Sequence, residues 1–269
     1  MAFSGLFAEL WSAIAFQEFL ATASIASVTN RDYDGDIKRR GDTVHVPFFD
    51  PSSLTVQSSW ESGSADTDFG DVKTILVDQD PAVQVEIMSI DQLRTNVNLQ
   101  QETATAAARR LANNVDSTII STVSGTASIG TAIVSSYDTL VNARATLANN
   151  GVSVGDGRMW YFASPAQAQA LLKDNDVIAA RNNFDPRNTL VTGQIGEIAG
   201  IKVVEQNVTA GGGILFHSDA LAFVSQQEVQ FEIDSMLGGQ KKRGNVLGAF
   251  LLYGVKVLTN NGVLHITDS

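Results

Sequence analysis

Residues 98–124 read NLQQETATAAARRLANNVDSTIISTVS, and the spacing within this stretch decides the fold. Ala104, Ala108, Leu111, Val115, Ile119 and Thr122 fall three or four apart, which puts them on one face of an α-helix. Asn98 stands where a cap is needed, and Gln101 stands where a side chain reaches back to that cap. Gly125 is the expected stop, because glycine enters the left-handed conformation without a Cβ clash. At 1.5 Å per residue the helix runs roughly 40 Å. Its stripe is alanine at the front and Leu111, Val115 and Ile119 at the back. One end can therefore lie close against a sheet while the other fills a core. Thr103 and Thr105 lower helix propensity near the front, so packing must help to hold that end.

Upstream, Thr43–Phe49 (TVHVPFF) and Val72–Met88 (VKTILVDQDPAVQVEIM) read as two strands, the second broken near Asp80-Pro81. They enclose Asp50–Asp71, rich in Ser, Gly, Asp and Thr and carrying Trp60 and Phe69. The result is a hairpin whose arms, at about 3.3 Å per residue, reach roughly 50 Å. A lone two-stranded ribbon of that length is marginal in water, and no following segment is an obvious cover. The ribbon is therefore expected to lie on a neighbouring molecule. Phe3–Leu20 has an amphipathic helical pattern, with Phe3, Leu6, Phe7, Leu10, Trp11 and Ile14 on one face. A membrane-surface helix carries Lys or Arg on its polar face. None precedes Arg31, which favours packing on the protein's own fold or on a neighbouring subunit. The same lack of basic residues, with Glu9 and Glu18 present, argues against a secretory signal. Asp32, Asp34 and Asp36 have the first ligand spacings of a calcium loop. Ile37 occupies its glycine position and Thr43 its bidentate glutamate position, so the segment reads as a solvated turn.

Downstream, Ser89 and Gln92 form a capping-box pair just before the long helix. Ser136 caps a helix to Ala148 with Leu140, Ala143 and Leu147 inward and Asn149-Asn150-Gly151 as its stop. Arg158–Phe162 (RMWYF) reads as a buried strand. Ser164-Pro165 opens a further helix with Leu171 and Leu172 inward. From Leu190 the chain is mostly β. Ile195–Ile198, Ile201–Glu205, Ile214–His217, Leu221–Val224 and Val229–Ile233 are short strands between glycines. Val246–Leu258 is a longer strand, and Val263–Ile266 follows a tight Asn260-Asn261-Gly262 turn.

Composition narrows the chemistry. The 269 residues suffice for one sizeable core or two modest ones, and 44% apolar content fits a globular chain. The longest apolar run, Ala249–Val255, is too short to span a bilayer. Absence of cysteine excludes disulfides, thiolate metal sites and thiol nucleophiles. With 18 basic against 29 acidic residues the net charge is −11, whereas tight phosphate binding needs clustered Lys and Arg. His45, His217 and His265 fall in separate strand patterns with no ligand spacing between them, which argues against a metal site. His217-Ser218-Asp219 holds the letters of a triad, but adjacent letters do not converge in space. No glycine spacing matches a phosphate or dinucleotide loop. Asp174 and Asp176 offer an acid–base pair to an acidic cytoplasmic hydrolase, yet their segment lacks other polar partners and reads as a solvated loop. No catalytic, cofactor or metal site is expected. Lys38-Arg39-Arg40 and Lys241-Lys242-Arg243 are the dense basic clusters. Against this acidic background the second suits an acidic patch on another subunit. The candidate functional residues are therefore inter-subunit contacts: Phe7, Trp11, Trp60, Phe69, Lys241, Lys242 and Arg243.

The order of these elements resembles the major capsid proteins of tailed double-stranded-DNA bacteriophages, with the Hong-Kong-97-type fold. The N-terminal arm, the extended hairpin (E-loop) and the long spine helix come first. The block YDTLVNARATLANNGV…GRMWYFASPAQAQALLKD resembles the axial-domain helix–strand–helix. GQIGEIAGIKVVEQNVTAGGGILFHSDALAFV and the ending FLLYGVKVLTNNGVLHI resemble the strands that follow in that family. The resemblance implies an α+β chain with an arm at 1–40, the E-loop at 41–88, a peripheral domain at 89–135 and 227–269, and an axial domain at 136–226. It implies a non-enzymatic homo-oligomer of hexamers and pentamers, assembled in a host cytoplasm into the icosahedral head of a virion. DNA would be packaged by non-specific proximity, with no membrane and no cofactor. Portal and decoration proteins are further partners it allows. No large charged segment precedes the arm, which implies a separate scaffolding protein. An encapsulin-like compartment shell shares the fold and is the alternative.

Overall fold

The structure, a computed structural model, describes residues 18–19, 25–33, 43–49, 70–88, 99–126, 137–174, 196–206, 212–235 and 244–267. In chain order the elements are β1 (Thr43–Phe49), β2 (Gly70–Leu76), β3 (Ala82–Met88), α1 (Leu99–Thr126), α2 (Tyr137–Asn149), β4 (Met159–Ala163), α3 (Pro165–Lys173), β5 (Gly196–Ile198), β6 (Ile201–Glu205), β7 (Gly212–His217), β8 (Leu221–Ser235), β9 (Gly244–Val257) and β10 (Val263–Thr267). The chain is α+β, as the periodicities require.

Helix α1 buries Ala104, Ala107, Ala108, Leu111, Ala112, Val115, Ile119, Ile120 and Val123. Its stripe ends on Val123 rather than Thr122, whose hydroxyl donates to the Thr118 carbonyl at 2.8 Å. The expected stop at Gly125 is also corrected. That residue is helical, and the positive-φ glycines lie elsewhere. Glycine tolerates helical φ at a cost of about 1 kcal/mol, and the burial of Val123 draws the last turn onward.

The three-stranded antiparallel sheet has the order β3-β9-β8. Side chains of a strand alternate between faces, and here both faces are used. Leu221 and Phe223 of β8, with Leu247, Ala249, Leu251, Tyr253 and Val257 of β9, join the α1 stripe in one core. Ala222, Val224 and Leu252 point the other way, into a separate cluster. Strand β8 joins the two expected short strands into one. Register shifts at Ser225/Gln227 and Gln227/Gln230 absorb the irregularity between them.

The five-stranded sheet has the order β10-β7-β4-β6-β5, with β4 and β6 parallel and the other pairs antiparallel. One face packs Met159, Tyr161, Val203 and Leu215 on Leu140 and Leu147 of α2 and on Leu171 of α3. The other brings Phe162, Ile214 and Phe216 into the α1 core. Helix α2 ends as its Asn149-Asn150-Gly151 signal requires. Gly151 (φ 84°) and Val152 donate to the carbonyls of Ala148 and Leu147, the paired bonds of a Schellman cap. Helix α3 opens with a capping box between Ser164 and Gln167. The Gln167 amide also accepts from the Tyr161 hydroxyl (2.7 Å) and donates to the Ile266 carbonyl (2.8 Å).

The tight turn expected at Asn260-Asn261-Gly262 is present as a short 3-10 turn, and it does not close a hairpin. Strand β10 pairs with β7, in the other sheet from β9. The N–H groups of Leu258 and Thr259 both reach the Ala220 carbonyl, which diverts the chain away from β9.

Within the α1 core, Asp116 is fully buried. Its carboxylate accepts from the Ile25 N–H at 3.3 Å and from the Gln206 side-chain amide at the end of β6. Asp116→Ala should leave two buried donors without an acceptor, at about 1–3 kcal/mol each. Asp116→Asn retains one acceptor oxygen and should lose less. Chemical denaturation of the soluble chain measures both, and an alanine variant as stable as wild type would show that the carboxylate joins nothing.

Candidate assembly surface

The hairpin strands β1 and β2 pair antiparallel from Thr43↔Leu76 to Phe49↔Gly70. Val44, Val46 and Ile75, with Val77 just beyond β2, pack on Ala222, Val224, Leu252 and Leu258. The expectation that nothing in the chain covers the ribbon is therefore overturned for its base, which rests on the sheet face opposite α1. The apolar run AFLLYGV in β9 is the sequence signal, because a strand buried on both faces shows no alternation. The second arm also divides. Beyond Leu76, Gln79 bridges to Tyr253 and β3 continues along the edge of β9. Asp80-Pro81 lies at this crossing, where the Pro81 carbonyl accepts from the Leu251 N–H.

A glycine allows the crossing. A Cβ on Gly254 would stand 2.5 Å from the Leu76 carbonyl oxygen and 3.2 Å from Val77 Cα. Gly254→Ala should therefore lift the hairpin base from the sheet and lower the melting temperature. Limited proteolysis should then cut the hairpin faster, and unchanged cleavage and melting would show that β2 does not press on β9.

The outer face of the ribbon is solvent-exposed and partly apolar. Val72 is 59% and Leu76 47% exposed, and Thr43, His45, Pro47 and Thr74 share that face as their cross-strand neighbours. Large apolar groups on an anchored, twisted ribbon suit contact with another protein surface. All seven contact residues expected from sequence, Phe7, Trp11, Trp60, Phe69, Lys241, Lys242 and Arg243, lie outside the described residues. The end of the arm that is described is tied down. Glu18 pairs with Arg109 of α1 at 2.6 Å, Phe19 is buried, and Asn30 exchanges backbone bonds with β8.

The residues weighed for catalysis have structural partners. Asp174 Oδ2 accepts from the Tyr137 N–H at 2.8 Å, capping α2, and Asp176 lies outside the described residues. His217 does not form a triad with Ser218. Its Nε2 lies 2.8 Å from Asp156 Oδ2, its Nδ1 lies 3.3 Å from the Asp219 N–H, and Arg158 pairs with Asp219 at 2.6 Å. Asp156 was invisible to sequence reasoning because 61 residues separate it from His217. Among the described residues no group of three or more acidic or histidine side chains is arranged to hold a metal. No helix among them is long and apolar enough to cross a membrane. Burial pushes the Tyr253 phenol up, and the negative charges of Asp116 and Asp78 add to it.

The hydrogen bond from His217 holds the Asp156 carboxyl below its ordinary value, desolvation opposes it, and the Arg158 N–H assists. A folded-state value below the unfolded one adds stability above the ordinary carboxylate range, and that stability fades as pH falls through the depressed value. The melting difference between wild type and Asp156→Asn should therefore be full near neutrality and shrink below about pH 4. A difference that persists undiminished well below the ordinary carboxylate range would refute the pairing.

The order of ribbon, long helix, helix-flanked sheet and closing strands is that of the Hong-Kong-97-type capsid fold, and the chain has this fold. Similar solved structures include a chain from Mycobacterium phage Che8, at TM-score 0.70 and 23% identity over 90% of each chain. The capsid structure of the cyanophage P-SCSP1u matches at TM-score 0.64 and 16% identity, covering 90% of this chain and 86% of that one. The virus-like particle from Pyrococcus furiosus matches at TM-score 0.60 and 13% identity, covering 97% and 99%. No family model matches the sequence, and no curated protein matches it.

Proposed function

We propose that the chain is a structural shell protein, the major capsid protein of a tailed phage. On this reading it self-assembles as hexamers and pentamers into an icosahedral head around double-stranded DNA. The observation that carries the reading is the ribbon, anchored at its base by its own sheet and presenting Val72 and Leu76 outward. A monomer has no use for apolar side chains held out on such a platform, whereas a neighbouring copy can bury them. The three-stranded sheet with α1 corresponds in this reading to the peripheral domain, and the five-stranded sheet with α2 and α3 to the axial domain. Phe7, Trp11, Trp60 and Phe69 would add contacts along the arm and the ribbon, and Lys241, Lys242 and Arg243 would meet acidic surface on a neighbour. No catalysis is assigned. DNA would be held by enclosure rather than by a binding site, in keeping with a net charge of −11. Scaffolding, portal and decoration proteins are the further partners of such a shell, and the host cytoplasm is where it would assemble.

Replacing residues 52–69 with a short glycine-serine turn tests this reading. The core residues among the described ones all lie outside the replaced segment. The variant should therefore keep wild-type circular dichroism and remain a small oligomer by light scattering, while wild type forms shells visible by negative stain. Shells of normal size from the variant would refute the contact role. Nuclease-protected DNA inside wild-type particles from an infected host supports the phage head, whereas a protein cargo would assign the chain to a compartment instead.

A further inference from the structure

Arg144 on α2 is a cation that the fold leaves without a partner. Among the described arginines, Arg109 and Arg158 hold carboxylates, Arg31 lies over the Phe223 ring, and Arg110 is exposed to water. Arg144 is half-buried, and its Nε is shut off from solvent with no hydrogen-bond partner. Its neighbours one turn away along the helix are Leu140, Val141, Leu147 and Ala148, none of them charged. A buried N–H without an acceptor is costly, and the more so on a charged group.

The Nε lies against the turn between β5 and β6. The strands pair as far as Ile198↔Ile201, which leaves Ala199 and Gly200 as a two-residue turn with φ of 53° and 79°. Positive φ at both positions suits the twist of a tight hairpin. Ala199 is the one non-glycine residue with positive φ among the described residues, and such strain persists only where the surroundings impose it. The turn keeps space open beside the guanidinium. A Cβ on Gly200 would stand 3.9 Å from Nε and 3.8 Å from the Val154 carbonyl oxygen, in ordinary contact with both. A small group carried by another molecule can therefore enter next to Nε.

We propose that this notch between Arg144 and the Ala199-Gly200 turn seats a carboxylate side chain from a second copy of the chain. A guanidinium presents paired N–H groups whose spacing matches the two oxygens of a carboxylate. One oxygen takes the Nε proton, and the other takes an N–H on the same edge. The Val154 carbonyl is an acceptor and offers the ligand nothing, so the guanidinium alone holds it. Charge identifies the partner. Two chains of net charge −11 repel each other on approach. A cation with no counter-ion of its own is where one copy can take an acidic group of the next at least cost. The seated carboxylate also gives the buried N–H the acceptor that the single chain does not supply. The inference rests on the shell reading for its partner, and on Arg144 and its surroundings for its chemistry.

Sedimentation velocity of the purified full-length chain at fixed ionic strength tests it, with the concentration at which half of the protein is associated as the readout. Arg144→Gln should raise that midpoint about tenfold, the scale of one lost charge-assisted contact. Arg144→Lys keeps the charge but not the fork, and should still raise it about threefold. In a second series acetate, the carboxylate probe, replaces chloride. Acetate should raise the wild-type midpoint by competing for the notch and should leave that of Arg144→Gln unmoved. Equal midpoints in wild type and Arg144→Gln, or an acetate effect of the same size in both, would overturn the proposal. Association of wild type into small oligomers instead of shells would count against the shell reading alone, because the midpoints still report on Arg144. If circular dichroism shows that the glutamine variant does not fold, Arg144→Lys replaces it, and a midpoint equal to that of wild type would overturn the proposal in the same way.

Discussion

Helix α1 lying along the odd-numbered face of the three-stranded sheet is the constraint on which the rest depends. Roughly 1.5–3 kcal/mol accompanies the burial of each of Leu111, Val115, Ile119, Ile120 and Val123. That gain is large enough to carry a buried carboxylate in the middle of the stripe. Asp116 turns this tolerance to use, because its two oxygens reach groups far apart in the sequence: the backbone at Ile25 and the side chain of Gln206. A buried charge needs such partners. The N-terminal segment and the five-stranded sheet are thereby held to the same helix.

The even-numbered face of that sheet decides what the hairpin can be. Ala222, Val224, Leu252 and Leu258 give its base a floor, and Gly254 lets the backbone at Leu76 come down onto β9. The ribbon is thus anchored at its base, and its outer face carries the exposed side chains of Val72 and Leu76. On the proposed shell reading this division matters, since a ribbon free at both ends would carry no geometric information from one subunit to the next. The two 3-10 crossovers have a comparable role inside the chain. They carry the chain from β7 to β8 and from β9 to β10, and polar groups from the loop before β4 and the end of β7 converge there.

The seven contact residues expected from sequence all lie outside the described residues, and the large apolar side chains exposed among the described ones are others. They are Val72 and Leu76. Neither stood out in the sequence, because a strand residue that alternates with buried neighbours looks like one more core position until its face is known.

The sequence by itself determined the elements, because short-range physics sets them. The 3.6-residue stripe from Ala104 to Ile119, the glycine stop at Gly151 and the Ser164-Pro165 start are local signals, and α1, α2 and α3 form where they point. The order of those elements also sufficed to suggest the fold. Tertiary structure alone decided which strands share a sheet. Asp80-Pro81 and Asn260-Asn261-Gly262 mark breaks, but a break does not say whether the next strand returns to the same partner. The answer depends on backbone groups distant in sequence, the Ala220 carbonyl in one case and the edge of β9 at Tyr253 in the other. The fate of polar residues was settled the same way. Asp116 reads as a solvent-facing helix residue and His217 as part of a false triad until the fold brings Gln206 and Asp156 to them, for a hydrogen bond depends on distance in space and not on separation along the chain.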